Sequence, residues 1–278
     1  MRGRCSMDNE TLRQLQLTQL EMLKEIKRVC EKHNITYFLT DGTLLGAARH
    51  KGFIPWDDDL DIAMLRSDYD RFVSEAISDI DSRYFLQTWR TDSNYALPYA
   101  KLLKNGTKCV EAVTEGTGVH DGIFIDIFPI DFCDSADRMK GKIKKYLFWN
   151  KVLLMKCKYK VWNATNARNG KWKYLPFAVL SGFMSKKFIV EKIESIINDW
   201  NINYAQTGLC YESCGYNFLN WIMNKDYVRD ITQIYFEDDL FSAPIDFQKY
   251  LTDVYGDYMK LPPVEDRENQ HNILELKF

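Results

Sequence analysis

The chain has 278 residues, 46% of them hydrophobic and 27% charged, with a formal net charge of -2. Those proportions suit a globular protein with a substantial core, and the sequence shows no internal repeat or low-complexity linker. The near-neutral balance singles out no polyanionic partner, and no run reaches the roughly 18–20 apolar residues of a membrane-spanning helix. The longest candidate, residues 175–184, is interrupted by Pro176 and Gly182. Residues 1–6 lack the apolar stretch of a secretory signal and read as a leader or alternative start ahead of Met7. The expected location is cytoplasmic.

Leu12, Leu15, Leu20, Leu23, Ile26 and Val29 recur at helical spacing and predict an amphipathic first helix ending near 31–34. A β-prone run at 35–39 is broken by Asp41-Gly42-Thr43, after which 44–48 reads as a helical turn. Residues 60–65 read as a strand, and Ser67 as the cap of a helix over 68–80. Further strands are predicted at 84–88, 99–103 and 123–128, with Pro129 ending the last. Helical runs follow near 138–160 and 185–205. The expectation is an α+β fold, a mixed sheet flanked by helices with a more helical C-terminal half. A catalytic core over 1–136 would carry 137–278 packed on it as one compact unit. The seven cysteines are irregularly spaced; Cys210 and Cys214 lack a second pair or nearby His, so they read as reduced and structural.

Asp57, Asp58, Asp59 and Asp61 fall within five residues at the mouth of a predicted strand. So many like charges repel unless something positive neutralises them. Residues two apart on a strand share a face, so Asp59 and Asp61 present two carboxylates to one point. That arrangement suits Mg²⁺ or Mn²⁺, hard cations that take oxygen ligands. A solvated acidic loop is the competing reading, but Phe53, Ile54, Pro55, Trp56, Leu60 and Ile62 embed the cluster in apolar residues. Upstream, Gly42 and Thr43 open a helical turn after a strand, where exposed N–H groups and a hydroxyl make an anion site. Arg49 and His50 lie between the two motifs and can offer positive charge to phosphate; a solvated basic face is their alternative. Asp126, set in the apolar run 122–128, reads as a third metal ligand and candidate base, against a structural salt bridge. Asp41 is assigned no chemistry.

The stretch YFLTDGTLLGAARHKGFIPWDDDLDIAMLR at 37–66 resembles the signature of the LicD family of phosphocholine transferases, within the nucleotidyltransferase-fold superfamily and with a core shared with fukutin-type proteins. LQLTQLEMLKEI at 15–26, GIFIDIFPID at 122–131, YGDYMKLPP at 255–263 and His271 extend it across most of the chain, weakly over 137–205. The resemblance implies a nucleotidyltransferase-like mixed sheet and a CDP-activated donor such as CDP-choline or another CDP-alcohol. It also implies transfer of the phospho-alcohol to a hydroxyl of a teichoic acid, lipopolysaccharide or capsular glycan, with CMP released. Carried over by position, Asp59 and Asp61 are metal ligands, Asp126 is the third acid, and Gly42 and Thr43 contact phosphate. The alternatives are a nucleotidyltransferase acting on RNA or a small molecule, and a non-catalytic binding module; no nucleic-acid partner is expected on the favoured reading. Choline bears a permanent cation that aromatic faces bind. Trp56, Trp89 and Tyr99 lie near the site in sequence, but each reads more readily as core, so no cage is assigned.

Residues 138–190 contain no Asp or Glu, while Lys and Arg are dense and Trp149, Trp162 and Trp172 are interleaved. Basic residues with interfacial aromatics predict peripheral contact with an anionic membrane, where a lipid-linked acceptor would be found. A plain basic surface and direct binding of an anionic glycan are the competing readings.

Overall fold

The computed structural model describes residues 7–163, 170–212, 222–267, 269 and 271–278. Residues 1–6, Arg168 and Cys214 lie outside them. Helix α1 (Asn9–His33) opens on Asp8, whose carboxylate accepts the Thr11 N–H at 2.8 Å, and closes on Asn34 in the left-handed region. The expected stripe, Leu12 to Val29, is buried.

Strand β1 (Phe38–Leu39), helix α2 (Asp41–His50), strand β2 (Asp61–Leu65) and helix α3 (Arg66–Ser74) follow. Strands β3 (Tyr84–Gln87), β4 (Ala100–Lys104), β5 (Lys108–Glu111) and β6 (Phe124–Cys133) complete the first half. Ser67 does not cap α3: the helix starts two residues earlier, at Arg66 with Leu65 at its cap, and it ends at Ser74 before a separate 3₁₀ turn over Ala76–Asp79. Arg66 begins the helix because its guanidinium is drawn into the sheet by Asp131, with both contacts at 2.7 Å.

The second half contains α4 (Ala136–Lys156), α5 (Gly170–Lys173), α6 (Leu175–Gly182) and α7 (Lys186–Tyr204). It continues through β7 (Leu209–Glu212), β8 (Ile222–Asn224), α8 (Asp226–Arg229), β9 (Ile231–Phe236), β10 (Asp239–Pro244), α9 (Phe247–Tyr255) and β11 (Ile273–Lys277). The main sheet runs β1-β2-β6-β4-β3, with β7 on the second half of β6 and β8 beside β7. Among the described residues only β2 and β6 pair in parallel; the other neighbours are antiparallel. The fold is α+β, as its pattern predicts. The two halves interlock, because β7 joins the main sheet and β11 pairs with β5.

Pro129 does not end its strand; β6 runs through it to Cys133. The Asp126 N–H donates to Leu60 O on the β2 side, so the nitrogens of Ile127 and Pro129 face the opposite flank. There β4 pairs as far as Ile127 and β7 begins at Ile130. The missing donor falls in the gap between two partner strands, where it costs no ladder bond. The cysteines among the described residues, Cys30, Cys109, Cys133, Cys157 and Cys210, are free and buried, as read from their spacing.

Candidate active site

Asp61 opens β2 and lies directly opposite Asp126 in the parallel register with β6. Side chains of residues so paired project from the same face of the sheet, so the two carboxyls stand side by side. Burial raises the Asp61 pKa well above the usual carboxylate range, and the charges of Asp59, Asp126, Asp41 and Asp57 raise it further. Five acids therefore converge near one point. Burial likewise pushes Asp126 up to about 6, against the opposing pull of Lys101. Asp57 is raised well above its ordinary value by burial and then by Asp59.

The start of α2 faces this cluster. Thr43 Oγ accepts the Asp61 N–H at 2.8 Å, tying the first helical turn to the first residue of β2. Gly42 leaves room for Asp57: a Cβ there would stand 2.8 Å from Asp57 Oδ2. Gly42 and Thr43 thus sit beside the acids, as the turn motif predicts. Arg49 and His50 occupy the far end of the same helix. Arg49 donates to the carbonyls of Tyr258 at 3.0 Å and Lys260 at 3.3 Å, which fastens the 255–263 segment to α2. His50 lies edge-on to Trp56 at 6.1 Å between centroids, and Trp56 carries the Arg267 guanidinium over its face at 5.4 Å. Tyr99 is buried against Phe128, with ring centroids 4.6 Å apart. Those contacts give Trp56 and Tyr99 packing roles in this structure.

Other groups join the site without a role assigned from the sequence. Lys101, on β4, lies 3.1 Å from Asp126 and 3.3 Å from Glu111, with its ammonium over the Phe124 ring. Its side chain is only 6% exposed. Burial works against its charge, but Asp126 and Glu111 outweigh that and raise its pKa. The salt-bridge reading of Asp126 is therefore realised, on the same carboxylate that faces Asp61. His271, just ahead of β11, reaches Asp58 at 3.1 Å and Asp59 at 3.7 Å. Burial disfavours its proton, yet the hydrogen bond to Asp58 and the charges of Asp59 and Glu111 push its pKa up to about 10.

Asp41, in the left-handed region at φ 44°, is half-buried beside Glu212 and Tyr250. Burial raises Asp41 to about 6 against the hydrogen bonds of Glu212 and Tyr250, and burial, then Asp41, lifts Glu212 well above its usual range. On α1, Gln16 and Gln19 are buried and donate to the carbonyls of Asp57 at 3.0 Å and Asp58 at 3.1 Å. Their polarity on an otherwise apolar helix face is the one sequence signal that could have marked them as clamps for the acidic loop.

The donor set fits a hard divalent cation. Asp61 and Asp126 bring carboxylates from two strands, and Asp59 lies just ahead of β2. Among the described residues, the group whose ligand atoms all lie within 4.8 Å of one another is Asp58, Asp59 and His271, not the predicted Asp59, Asp61 and Asp126. Asp58 Oδ2 and Asp41 Oδ1 are buried without a hydrogen-bond partner. A buried carboxylate oxygen left without a partner costs stability unless a donor or cation meets it.

The segment that carries the paired acids of β2 and β6 and the first turn of α2 matches the model of the LicD/FKTN/FKRP nucleotidyltransferase domain, over residues 34–145. The chain is 31% identical over 271 residues to the lipopolysaccharide cholinephosphotransferase LicD of Haemophilus influenzae, a match covering 94% of this chain and 96% of that protein. Uncharacterized proteins of Rickettsia prowazekii and Rickettsia typhi are each 46% identical over 52 residues, 19% of this chain. This chain belongs to the LicD family.

Proposed function

We propose that this protein transfers phosphocholine, or a related phospho-alcohol, from a CDP-activated donor to a hydroxyl of a cell-surface glycan precursor and releases CMP. The observation that carries the reading is the side-by-side placement of Asp61 and Asp126 on parallel strands. The similarity to a lipopolysaccharide cholinephosphotransferase supports the transferred group and the acceptor class.

Phosphoryl transfer needs alignment and charge stabilisation more than covalent help from the protein. Asp59, Asp61 and Asp126 would hold Mg²⁺ or Mn²⁺, which supplies Lewis-acid stabilisation of the diphosphate when bound. The first turn of α2, at Gly42 and Thr43, offers N–H groups to a donor phosphate. Arg49 holds the 255–263 segment beside the site and adds positive charge near Asp57. In the transfer, the acceptor oxygen bonds to the choline-bearing phosphorus and the P–O bond to CMP breaks. The acceptor proton passes to Asp126, whose pKa near 6 suits a base working at neutral pH. Lys101 holds that carboxylate in place. The acceptor is taken as a lipid-linked glycan at the cytoplasmic face of the membrane, which puts the protein in the cytoplasm with peripheral access to that face.

Incubation with CDP-choline and a panel of other CDP-alcohols, Mg²⁺ and lipopolysaccharide-type acceptors tests this, with CMP release as readout. CMP release that requires both acceptor and Mg²⁺ is expected. Silence across the whole panel, or pyrophosphate release from a nucleoside triphosphate instead, would overturn it.

A further inference from the structure

The chain between the two long helices of the annex exposes an apolar face that the active site does not use. Tyr174 has helical backbone angles and bridges α5 to α6, with the Ala178 N–H donating to Tyr174 O at 3.0 Å, so 170–182 runs as a nearly continuous helical rod. Its inner side is seated: Phe177 packs on Phe148 of α4 at 5.6 Å between centroids, and Lys151 sits over the Phe177 ring at 5.7 Å. Its outer side is bare. Trp172, Leu175, Val179 and Phe183 are spaced three, four and four residues apart, which lines them along one helical face. They are 74%, 51%, 57% and 85% exposed. Single exposed apolar side chains are ordinary, but four in register on one rod are not.

We propose that this face is a docking surface for an anionic lipid leaflet, with Trp172, Leu175, Val179 and Phe183 inserted at the boundary between headgroups and acyl chains. Charge complementarity selects the occupant. No charged residue lies between Tyr174 and Ser185, while exposed Lys171 and Lys173 stand at one end and exposed Lys187 at the other. The surrounding run, 138–190, contains no acid to repel anionic headgroups. An apolar strip bracketed by lysines, with an amphipathic indole at its edge, is the pattern of a helix lying in the membrane interface. No described helix is long and apolar enough to cross a membrane, so this contact is peripheral. The surface also connects to the catalytic sheet. Lys186, where α7 begins, donates to the carbonyls of Asp92 and Ser93 at 2.8 and 2.9 Å, and Cys157 and Tyr159 hold the same loop at Tyr95 and Ala96. Tyr95 lies close enough to Asp126 for that charge to help raise its phenol. Docking would therefore hold the acid cluster near the leaflet; the assignment extends the proposed use of a lipid-linked acceptor.

Co-sedimentation with vesicles of phosphatidylcholine alone, and of phosphatidylcholine mixed with phosphatidylglycerol, tests the surface without donor or acceptor. The intact protein should pellet with the mixed vesicles at low salt and be released as salt rises. Trp172→Ser combined with Phe183→Ser should reduce the pelleted fraction to that seen with neutral vesicles. Lys171→Gln combined with Lys173→Gln should weaken binding and flatten its salt dependence. Circular dichroism should match the parent for both, since all four side chains face solvent. Equal recovery with neutral and mixed vesicles, or parental pelleting by the Trp172/Phe183 variant, would overturn the proposal. So would self-association of the parent in gel filtration that this variant abolishes, which would make the face a contact between two copies. An Asp61→Asn variant should pellet like the parent, so failure of the transfer reading and failure of docking are separable.

Discussion

Asp61 and Asp126 occupy directly opposed positions on the two parallel strands of the sheet, although 65 residues separate them in the chain. Neither has a counter-ion of its own in proportion to its burial: Lys101 is shared between Asp126 and Glu111. The pair is costly in the bare protein, a cost that the cation and phosphate of the proposed function would offset.

Asp61→Asn should therefore separate stability from activity. Transfer should fall by at least about 10²–10³-fold, the usual loss for one electrostatic contact to a transition state. The melting temperature of the metal-free variant should equal or exceed that of the parent, because the substitution removes a buried charge that burial and four neighbouring acids disfavour. Calorimetry in EDTA, beside a CMP-release assay in Mg²⁺, checks both halves. A folded variant with near-parental turnover would remove Asp61 from the mechanism.

Lys101→Met should destabilise the fold by about 3–5 kcal/mol, since it strands two buried carboxylates. Glu111→Gln on the same background should restore part of that loss, because one of the two stranded charges disappears. Denaturant titration of the single and double variants reads the coupling directly.

His271→Ala should lower stability most at mildly acidic pH. The folded-state pKa of about 10 lies above the ordinary 6.5, so the contribution is fully present below about 6.5 and is lost as pH rises through about 10. The gap in melting temperature between parent and variant, measured without metal, should narrow across that window. The side chain is 26% exposed, so the effect should fall below the ~3–5 kcal/mol of a fully buried pair.

Glu212→Gln should stabilise the protein at neutral pH. Burial, then Asp41, holds the folded pKa well above the usual value, so the ionised form is penalised only once pH passes the unfolded pKa of about 4.3. Parent and variant should melt together near pH 4 and diverge in favour of the variant as pH rises. A constant difference across that range would mean that hydrogen bonding, not ionisation, sets it.

Gly42→Ala should impair catalysis more than stability. The added Cβ meets Asp57 Oδ2 at 2.8 Å and must displace it or the first turn of α2. Shifts of about 1 Å near a reacting centre can cost on the order of 10²-fold in rate. Overpacking of this kind costs about 1–3 kcal/mol. Steady-state kinetics and thermal melting on one preparation distinguish the two.

Local pattern determined much of this protein. The apolar spacing of α1, the Gly42-Thr43 turn and the burial of Asp126 are all relations between residues a few positions apart, which steric and solvation rules read directly; Asp59 lies ahead of β2, so strand alternation does not place it. Tertiary structure decided which distant groups meet. Pro129 could stay inside β6 only because β4 and β7 leave a gap at its nitrogen. Arg49 was drawn to the carbonyls of Tyr258 and Lys260, while His271 and Glu212 came from the C-terminal half to partner Asp58 and Asp41. Such pairings depend on strand register and on the burial of the whole core, which no window of neighbouring residues contains.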